Sequence, residues 1–518
     1  MAWSKYQIDI FDYATSLDGG SFAINAVAGS GKTTTEVECA RRIAAKYPEE
    51  TILFLAFNKS IVDKLKESTK EFPGIKCNTL HSLGMGILYR SKLTLNLNES
   101  KYKNYIRDNF RKLCDNPVLA GEPKKMWLYI RNCDEILRLA RINMIKSGDK
   151  DGIKEIAFLH NIRPIANEID AVSKLLLKSQ TLTSFKSASK KGYDIDYTDM
   201  ICLPLTDSFS KFIIKYDTVF IDEAQDLNLA QQELMQMSIK QGGRFICAGD
   251  PSQSIVGFGG ALNDSFARLE RIAGKSLPLS VNYRCGVSIL NEARKLVPHI
   301  EAHEGAIEGE VEHVKDLSSA QPGDMILCRK TAPLLEVALN MMAEGKSAKI
   351  KGKDIAEKMK MLIDSVDTDK NLALTLDVLY NRLDNVLERL VADLKDRKIE
   401  YIPAHPQYID MVDKINAIKQ IGSRCSSPGE LREILDKVFV DAITGNAVNL
   451  STVHKAKGLE ADNVFIICPE LLPMKIDGQM EWEFQQELNL EYVAITRAKN
   501  KLVWVDVDEK NIGNIKVV

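Results

Sequence analysis

The stretch AVAGSGKTT, residues 26–34, decides the fold of this chain. Gly29 and Gly31 let consecutive backbone N–H groups turn toward one anion, because no Cβ hinders a positive φ. Lys32 can reach the β- and γ-phosphates of a nucleotide, and the Thr33 hydroxyl can bind Mg²⁺. The pattern therefore predicts a phosphate-binding loop.

The segments on either side of this loop have the character that it requires. Residues 21–24 form a short apolar run typical of a buried strand, and Val37, Ala40 and Ile43 recur at helical spacing. A helix that begins at the loop adds its own partial positive charge. A Gly-rich turn can also be an ordinary loop, but Gly-Lys-Thr between a strand and a helix favours phosphate binding.

Composition sets broad limits on the fold and its ligands. With 518 residues, 45% of them hydrophobic and 27% charged, the chain can form roughly three or four domains. The net charge of −2 gives no overall attraction to nucleic acid, so a nucleic-acid site requires a local patch.

Cysteine spacing and the chain ends bear on cellular location. The ten cysteines include no C-x-x-C pair, so zinc and iron–sulfur sites have no support and a reducing cytosol is indicated. The first residues, MAWSKYQIDIFDYA, lack a secretory signal, and no run reaches about 18 apolar residues. We expect a cytoplasmic protein, in a bacterial or phage-infected host cytosol, or a nuclear one in a eukaryote, with no membrane contact. About a dozen residues follow the last predicted strand, so we expect no further module there.

Acidic and amide side chains follow two predicted strands. The apolar run 219–221 ends in Asp222 and Glu223. One carboxylate can hold Mg²⁺ through water, and the other can orient and activate an attacking water. Asp250 and Gln253 follow a later apolar run and can sense a γ-phosphate.

Other strand ends carry residues suited to a strand of nucleic acid. The apolar run 51–57 ends at Phe57 and Asn58, and Thr79 and His81 follow the next predicted strand. Ligands of open parallel sheets collect at the carboxyl ends of the strands, so these residues are placed to touch one. Each of them, taken singly, fits a structural role better.

Four further residues have the chemistry to contact a nucleotide or a base. The amide of Gln7 can read an adenine edge, although a solvated surface glutamine is the plainer alternative. Tyr283 can stack on adenine, and Arg284 can reach phosphates. Phe258, in a Gly-rich loop, can offer a stacking face to a base.

Between residues 101 and 150, twelve Lys and Arg stand against six Asp and Glu. The aromatic residues interleaved with them are Tyr102, Tyr105, Phe110, Trp127 and Tyr129. This pattern is typical of a nucleic-acid surface, but it also fits a solvated helical face over a small core. Residues 331–443 read as mostly helical, with a helix start at Ser427-Pro428. The segment 487–499 reads as a helix carrying Arg497.

The ordered motifs are AGSGKT, AFNK, TLHSLG, FIDEAQD, GDPSQSIVGFGGA, NYR, LSTVHKAKGLEAD and YVAITRAK. This set resembles superfamily 1 helicases of the UvrD/Rep/PcrA type, and especially the motor of F-box DNA helicases and related phage helicases. The motifs extend from Gln7 to Lys499, nearly the whole chain. Ala is normal in that family at the position of Ala26.

The resemblance implies an α/β fold with two RecA-like parallel-sheet domains, each with a mainly helical insertion. The expected bounds are 1–88 and 194–276 for the first motor domain, 89–193 for its insertion, 277–365 and 444–518 for the second motor domain, and 366–443 for a reduced second insertion.

The resemblance also implies residue roles. Glu223 is expected to be the general base, Gln253 the γ-phosphate sensor, and Arg284 and Arg497 arginine fingers from the second domain; Lys32 completes the catalytic set. Thr33 and Asp222 are expected to hold Mg²⁺. The expected nucleotide-binding residues are Gln7, Ala28, Gly29, Ser30, Gly31, Lys32, Thr33, Thr34, Tyr283 and Glu460, with Gln7 and Tyr283 at adenine.

The expected DNA-binding residues are Phe57, Asn58, Thr79, His81, Phe258, Thr452, His454 and Lys455. Three positions depart from the family pattern. Val256 and Gly259 stand where Tyr and Arg are usual, so one stacking or coupling contact is lost or supplied elsewhere. Thr34 replaces a common Arg, so weaker adenine stacking and looser nucleotide selectivity are expected.

The implied function is that of an ATP- and Mg²⁺-dependent enzyme, a DNA-stimulated ATPase and helicase. It is expected to move along single-stranded DNA, 3′ to 5′ as in relatives, and to unwind duplex in replication, repair or recombination. The implied partners are single-stranded DNA, single-strand/duplex junctions and replication or recombination proteins, and a monomer is expected.

Two alternatives to this function stay open. One is a translocase that strips proteins such as recombinase filaments from DNA without processive unwinding. The other is a non-enzymatic binding module, against which the intact Lys32, Asp222, Glu223 and Arg497 argue.

Overall fold

The computed structural model describes residues 3–16, 19–56, 58–116, 119, 121–160, 162, 164, 166–187, 191–255, 264–366, 375–396, 399, 401–441 and 445–517, without the side chains of residues 123 and 124. The chain forms two compact units. The first contains Met1–Ala26 and Gly31–Leu279, and the second contains Val27–Ser30 and Ser280–Val518. Each unit has its own large sheet.

The strands described in the first unit are β1 (Phe22–Ala26), β2 (Ile52–Ala56), β3 (Ile75–Thr79), β4 (Leu95–Leu97), β5 (Tyr193–Ile195), β6 (Tyr216–Ile221), β7 (Ile239–Gly249) and β8 (Ser276–Leu279). The large sheet has the order β3-β2-β6-β7-β1-β8, and all its neighbouring strands run parallel. β4 and β5 form a separate parallel pair.

The helices described in the first unit are α1 (Lys5–Thr15), α2 (Lys32–Lys46), α3 (Lys59–Ser68), α4 (Leu80–Tyr89), α5 (Lys101–Asp108), α6 (Phe110–Leu113), α7 (Pro123–Ile142), α8 (Lys150–Leu159), α9 (Glu168–Ser179), α10 (Tyr197–Cys202), α11 (Asp207–Ser210), α12 (Leu229–Met237) and α13 (Ser265–Ala273).

Helices cover both faces of the first sheet, because its central strands are apolar on both sides. All five residues of β2 are buried. On one face the strands pack against α1 and α2 through residues such as Phe11 and Ile43. On the other face they pack against α4 and α12 through residues such as Ile87 and Leu234. A parallel sheet covered in this way leaves its strand ends as the accessible edge for ligands.

Between β3 and β6 the chain forms a helical region, α5–α9, with a hydrophobic core of its own. A buried ionic cluster ties this region to α10: Asp199 pairs with Lys101 and Arg141, and all three side chains are buried. Each buried cation meets a carboxylate, which limits the cost of desolvation. α10 in turn packs closely on α4, where a Cβ on Gly84 would lie 1.7 Å from the carbonyl oxygen of Met200.

The strands described in the second unit are β9 (Val281–Asn282), β10 (Glu301–Ala302), β11 (Glu310–Val314), β12 (Met325–Cys328), β13 (Ala348–Lys351), β14 (Phe439–Val440), β15 (Val448–Thr452), β16 (Ala461–Ile467) and β17 (Ala498–Val505). The large sheet has the order β11-β17-β16-β12-β15-β13-β14, again with all neighbours parallel.

The helices described in the second unit are α14 (Val287–Arg294), α15 (Thr331–Ala343), α16 (Lys353–Val366), α17 (Leu376–Asp396), α18 (Pro406–Gly422), α19 (Pro428–Val438), α20 (Val453–Ala456) and α21 (Glu481–Ile495). Side chains of α17, α18 and α19, such as Leu379, Ile418 and Leu435, belong to the same hydrophobic core as those of the second sheet. The helical region α17–α19 thus shares its core with the sheet, unlike α5–α9 in the first unit.

The structure confirms the mixed α/β class with large parallel sheets. It also confirms the helix start at Ser427-Pro428, where the Ser427 side chain accepts the Glu430 N–H. The helix predicted over residues 487–499 is wrong at its end: α21 stops at Ile495, and Arg497 precedes β17. Pairing of β17 with β16 takes up the chain from residue 498 onward and ends the helix earlier. The bounds of the four subdomains stay a prediction.

In the part of the chain that the structure describes, every helix is too short or too polar to span a bilayer.

Candidate functional site

The phosphate loop has the backbone conformation that its glycines permit. β1 ends at Ala26 and α2 begins at Lys32, so strand, loop and helix follow one another as predicted. Gly29 and Gly31 have φ values of +65° and +77°, in the left-handed region that other residues rarely adopt. Lys32 therefore starts at the first turn of a long helix, whose N-terminus favours anions. Thr34, on the same turn, is exposed.

Lys32 and Thr33 lie beside the acidic pair that follows β6. Lys32 Nζ is 3.5 Å from Glu223 Oε2, and the Thr33 hydroxyl donates to Asp222 Oδ2 over 2.9 Å. Glu223 has a φ of +55°, a strained conformation for a residue with a side chain. Such strain is concentrated at functional sites. The structure brings together the residues that the sequence analysis placed at the phosphates, at Mg²⁺ and at the attacking water.

Burial shapes the charges of this cluster. Desolvation, together with the neighbouring charge of Glu223, raises the pKa of Asp222 to about 6. Burial also raises the pKa of Asp250. For Lys32, burial acts to lower the pKa, but the carboxylates of Glu223, Asp250 and Asp222 outweigh it and the pKa is raised. Lys32 stays cationic, and a divalent cation bound here would relieve the crowding of the carboxylates.

A chain of hydrogen bonds joins Glu223 to the predicted γ-phosphate sensor. Gln225 Nε2 donates to Glu223 Oε2 over 2.6 Å, and Gln225 Oε1 accepts the Asp250 backbone N–H at 3.1 Å. Gln253 Nε2 donates to Asp250 Oδ2 over 2.6 Å. Gln225 was not predicted as a site residue, although it belongs to the motif FIDEAQD, where an amide two residues after the acidic pair was the available signal.

Glu36 is a second residue that the sequence analysis missed. It lies one turn after Lys32 in α2 and is fully buried. Neither of its carboxyl oxygens has a hydrogen-bond partner among the described residues. Burial, and then the charge of Asp222, raises the pKa of Glu36 well above its usual value. Burial therefore favours the uncharged form of this carboxyl, which stands at a helix position where an apolar side chain would be expected.

Gln7 lies next to the same helix. Its Nε2 donates to Thr35 Oγ1 over 3.0 Å, and its Oε1 accepts the Ser4 N–H over 3.0 Å as part of the capping box of α1. Gln7 is 4% exposed, which excludes the alternative that it is a solvated surface glutamine. It links α1 to α2, a structural role that the sequence alone does not separate from adenine recognition.

In the second unit, Arg284 lies in a small network with Glu460. Its Nε donates to Glu460 Oε2 over 2.7 Å, and its Nη1 donates to the carbonyl oxygen of Thr496 over 3.1 Å. Lys499 Nζ pairs with the other oxygen of Glu460 at 2.9 Å. Glu460, expected near the nucleotide, is therefore held between two cations.

Arg497 is close to the same turn and is almost completely buried, with 1% of its surface exposed. Its guanidinium donates to the carbonyl oxygens of Val493 over 2.9 Å and Leu459 over 3.1 Å, and to Thr496 Oγ1 over 3.2 Å. The two predicted arginine fingers thus converge on Thr496, and both guanidinium groups have partners within the second unit.

Tyr283, expected at adenine, stacks on His303 with ring centroids 5.4 Å apart and planes 21° apart. The second unit also contains Val27–Ser30, where the Ala28 N–H donates to Tyr492 Oη over 2.9 Å and Asn282 Nδ2 donates to the Ala28 carbonyl oxygen over 2.6 Å. Neither Tyr492 nor Asn282 was predicted as a site residue, although Tyr492 lies in the motif YVAITRAK and Asn282 in the motif NYR.

The residues expected to bind DNA in the first unit sit at strand ends. Asn58 and Thr79 cap α3 and α4, since their side chains accept the N–H groups of Ile61 and Ser82. His81 is exposed and meets the ring of Tyr197 edge-on, with centroids 6.1 Å apart. Tyr197 is itself 49% exposed and was not predicted. Phe57 and Phe258 lie outside the described residues, as do Val256 and Gly259.

In the second unit, Thr452 ends β15 and is buried. His454 and Lys455 follow in α20. Burial, with help from Arg329, lowers the pKa of His454 to about 3, so this histidine is neutral at physiological pH. Lys455 forms an ion pair with Asp354, with Nζ 2.7 Å from Oδ2. Of these residues, only Lys455 is both charged and exposed.

Comparison with known proteins identifies the family. Residues 11–273 match the UvrD/REP helicase N-terminal domain, and residues 353–506 match the UvrD-like helicase C-terminal domain. The chain belongs to the UvrD/Rep helicase family.

Individual relatives of this UvrD/Rep-family chain are distant. It is 22% identical to F-box DNA helicase protein 1 of Schizosaccharomyces pombe, over 95% of this chain and 56% of that protein. It is 24% identical to F-box DNA helicase 1 of Gallus gallus, over 93% of this chain and 47% of that protein. It is 26% identical to the ATP-dependent DNA helicase Rep of Escherichia coli, over 54% of this chain and 42% of that protein. The chain spans about half the length of the curated relatives it matches.

The family implies ATP and Mg²⁺, and the residues present fit them. A hydroxyl and a carboxylate 2.9 Å apart, Thr33 and Asp222, are the hard oxygen ligands that Mg²⁺ takes in small number beside nucleotide phosphates. Among the described residues, no group of three or more His, Cys, Asp and Glu side chains forms an all-protein metal site.

Most aromatic residues of the basic stretch in this UvrD/Rep-family chain belong to a helical core. Tyr102, Phe110 and Tyr129 are buried in the core of α5–α9, and Lys101 and Arg141 are buried against Asp199. These residues cannot present a stacking surface. Trp127 is 60% exposed, and Tyr105 is partly buried against the same core. The interleaved aromatic residues are therefore mostly core residues, and a nucleic-acid surface formed by the exposed lysines and arginines stays a prediction.

Proposed function

We propose that this chain is an ATP-dependent DNA helicase that moves along single-stranded DNA and unwinds duplex ahead of it. The observation that carries the proposal is the arrangement at the start of α2, where Lys32 lies 3.5 Å from Glu223 and Thr33 lies 2.9 Å from Asp222. Phosphoryl transfer requires a lysine for the phosphates, oxygen ligands for Mg²⁺ and a carboxylate for the attacking water. The names of the relatives, F-box DNA helicases and Rep, support DNA as the substrate.

Each group in this arrangement has a task in hydrolysis. Lys32 neutralises charge on the β- and γ-phosphates, and Thr33 and Asp222 hold Mg²⁺, which supplies further charge neutralisation when bound. Glu223 orients the attacking water and accepts its proton. The hydrogen bond from Gln225 and the left-handed backbone at Glu223 fix the direction of that carboxylate.

Two elements couple the nucleotide to the rest of the protein in this proposal. Gln253 senses the γ-phosphate, and through Asp250 and Gln225 its position is linked to Glu223. Arg284 and Arg497 act as arginine fingers on the γ-phosphate, where charge spreads in the transition state. Because both guanidinium groups have internal partners, they must exchange these partners for phosphate oxygens during the cycle.

In this proposal, contacts that do not depend on the base sequence hold the DNA strand. In the first unit we assign this role to Asn58, Thr79 and His81, with Tyr197 as an added stacking surface. In the second unit we assign it to Thr452, His454 and Lys455, and the assignments of Phe57 and Phe258 are kept. The same proposal includes movement from 3′ to 5′ and a role in replication, repair or recombination. It also includes the partner proteins and the bounds of the four subdomains given above.

Unwinding of tailed duplexes tests this function. With ATP and Mg²⁺, a duplex with a 3′ single-stranded tail should be unwound, a 5′-tailed duplex should not, and the Lys32→Ala variant should unwind neither. ATP hydrolysis stimulated by DNA without strand separation, together with removal of a recombinase filament, would support the protein-stripping alternative. If single-stranded DNA does not stimulate phosphate release at all, the proposal is wrong.

A further inference from the structure

An ion pair occupies the strand-binding edge of the second unit. Lys455 Nζ lies 2.7 Å from Asp354 Oδ2, and the two side chains are 41% and 50% exposed. Lys455 is in α20, directly after β15, and Asp354 is in the first turn of α16, directly after β13. Since β13 and β15 are parallel neighbours, both helices begin at the same edge of the sheet.

This edge carries more positive than negative charge. Lys351 ends β13, and burial together with the charge of Lys455 lowers its pKa, so the two ammonium groups are close enough to repel. Among the described residues, Lys351 forms no ion pair, so Asp354 compensates one of two neighbouring cations. Lys353 contributes a third cation, 3.8 Å from Asp441. Because Asp354 pairs with Lys455 and not with Lys351, these two lysines are suited to a second anion.

The ion pair itself is easy to exchange. Pairs with this degree of exposure stabilise a protein by little, since water screens them and the side chains lose freedom. A carboxylate oxygen at 2.7 Å from an ammonium also occupies the position that a phosphate oxygen takes in a charge-assisted hydrogen bond. Exchange of Asp354 for a phosphate would leave the charge around Lys455 nearly unchanged.

We propose that Asp354 is an internal substitute for a DNA phosphate, which holds Lys455 in place without DNA and competes with the strand for it. This inference rests on the proposed function, in which Lys455 binds the strand backbone. It adds a positioning residue that keeps the lysine ordered and limits the affinity of the contact. A weak, readily exchanged contact suits a protein that must release each phosphate in order to move.

Binding of a fluorescent oligo-dT in the absence of nucleotide tests the proposal. Asp354→Asn should bind about three- to fivefold more tightly than the wild type, the range expected from loss of an exposed competing charge. Its salt dependence should steepen by up to about 0.7 in logarithmic slope, since Asp354 no longer offsets the charge that Lys455 brings to the phosphate. Lys455→Ala should bind more weakly, and the double variant should match Lys455→Ala.

Asp436→Asn is the matched control. Asp436 pairs with Lys360 at 2.7 Å in the same unit, with 55% of its side chain exposed, so the variant makes the same change in net charge. It should bind oligo-dT like the wild type, and thermal unfolding should show that all variants are folded. If Asp436→Asn gains as much as Asp354→Asn, net charge explains the effect and the proposal is wrong.

The remaining outcomes separate this proposal from the proposed function. If Lys455→Ala weakens binding but Asp354→Asn does not tighten it, Asp354 is not a competitor, while the helicase assignment is untouched. If Lys455→Ala binds like the wild type, both Asp354 and Lys455 lose their roles here. Unwinding of the 3′-tailed duplex by the wild type then still decides whether the chain is a helicase.

Discussion

The phosphate-loop edge of the first unit differs from the arginine-bearing edge of the second unit in how its charged side chains are paired. In the first unit, Asp222 and Asp250 are buried with raised pKa values, and Lys32 faces more than one carboxylate. In the second unit, Arg284 has Glu460 as a partner, and Arg497 donates to backbone carbonyl oxygens.

The difference shows which edge is prepared for a ligand. Crowded carboxylates around a lysine gain from a divalent cation and a phosphate, so the first edge is organised before the nucleotide arrives. The arginines of the second edge are satisfied without a ligand, so they lose contacts when they turn to a phosphate. Substitutions in the first edge should therefore affect chemistry alone, whereas some in the second should affect both chemistry and stability.

The largest expected effects are in the first edge. Lys32→Ala should abolish DNA-stimulated ATP hydrolysis, because the phosphates lose their cation. Glu223→Gln should lower turnover by about 10⁴-fold, since an amide cannot accept the proton of the attacking water. Phosphate release with saturating single-stranded DNA measures both effects.

The control for these variants is Glu38→Gln. Glu38 lies in the same helix as Lys32 and pairs with Arg42 at 2.8 Å, away from the acidic cluster. It should hydrolyse ATP like the wild type, and all three variants should unfold thermally close to the wild-type temperature. Wild-type turnover in Glu223→Gln would contradict the assigned role, and a large loss of stability would contradict the contrast between the edges.

The residues of the first edge were predictable because its motif is local. Strand, glycine turn, lysine and threonine are contiguous, and Asp222 and Glu223 directly follow an apolar run, so few arrangements of the backbone were possible. The parallel sheets followed from apolar runs that are buried on both faces.

Interactions between distant segments were not predictable in the same way. The buried acid Glu36 stands at an apolar position of its helix, and the contact of Tyr197 with His81 depends on how α10 packs on α4. The aromatic residues at 102, 110 and 129 gave the wrong impression of a surface, because helical periodicity does not show which face a neighbouring helix covers. Whether such a side chain is buried or exposed depends on the packing of neighbouring helices and not on composition.

The next largest effects are expected at Arg497 and Arg284, which should differ in their contribution to stability. Arg497→Ala should lower turnover by roughly 10³-fold. It should also destabilise the fold by about 2–3 kcal/mol, because the carbonyl oxygens of Val493 and Leu459 lose their donors in a buried site. Arg284→Ala should lower turnover by a similar factor, but its partly exposed side chain should cost about 1 kcal/mol or less.

Steady-state kinetics and thermal unfolding of the same preparations check this prediction. Arg424→Ala is the control, since Arg424 pairs with Glu336 at 2.7 Å and is 30% exposed, similar to Arg284. It should change stability slightly and turnover not at all. If Arg497→Ala loses stability but retains turnover at low temperature, the buried arginine is structural and Arg284 alone acts on the nucleotide.

The smallest expected effect is that of Glu460→Gln. Glu460 lies 2.7 Å from Arg284 and 2.9 Å from Lys499, and its side chain is 41% exposed. An ion pair of this kind contributes at most about 1 kcal/mol, so loss of the charge should change turnover by about fivefold or less. Turnover rises if Glu460 restrains Arg284 and falls if Glu460 aligns it.

The Arg284→Ala background decides between these roles and a direct contact. If Glu460 acts only through Arg284, Glu460→Gln should have no further effect on turnover once the arginine is absent, as a double-mutant cycle would show. A loss of comparable size in both backgrounds would mean that Glu460 touches the nucleotide independently. The second edge would then resemble the first, with an acidic group of its own prepared for the ligand, and the contrast between the two edges would be reduced to the burial of Arg497.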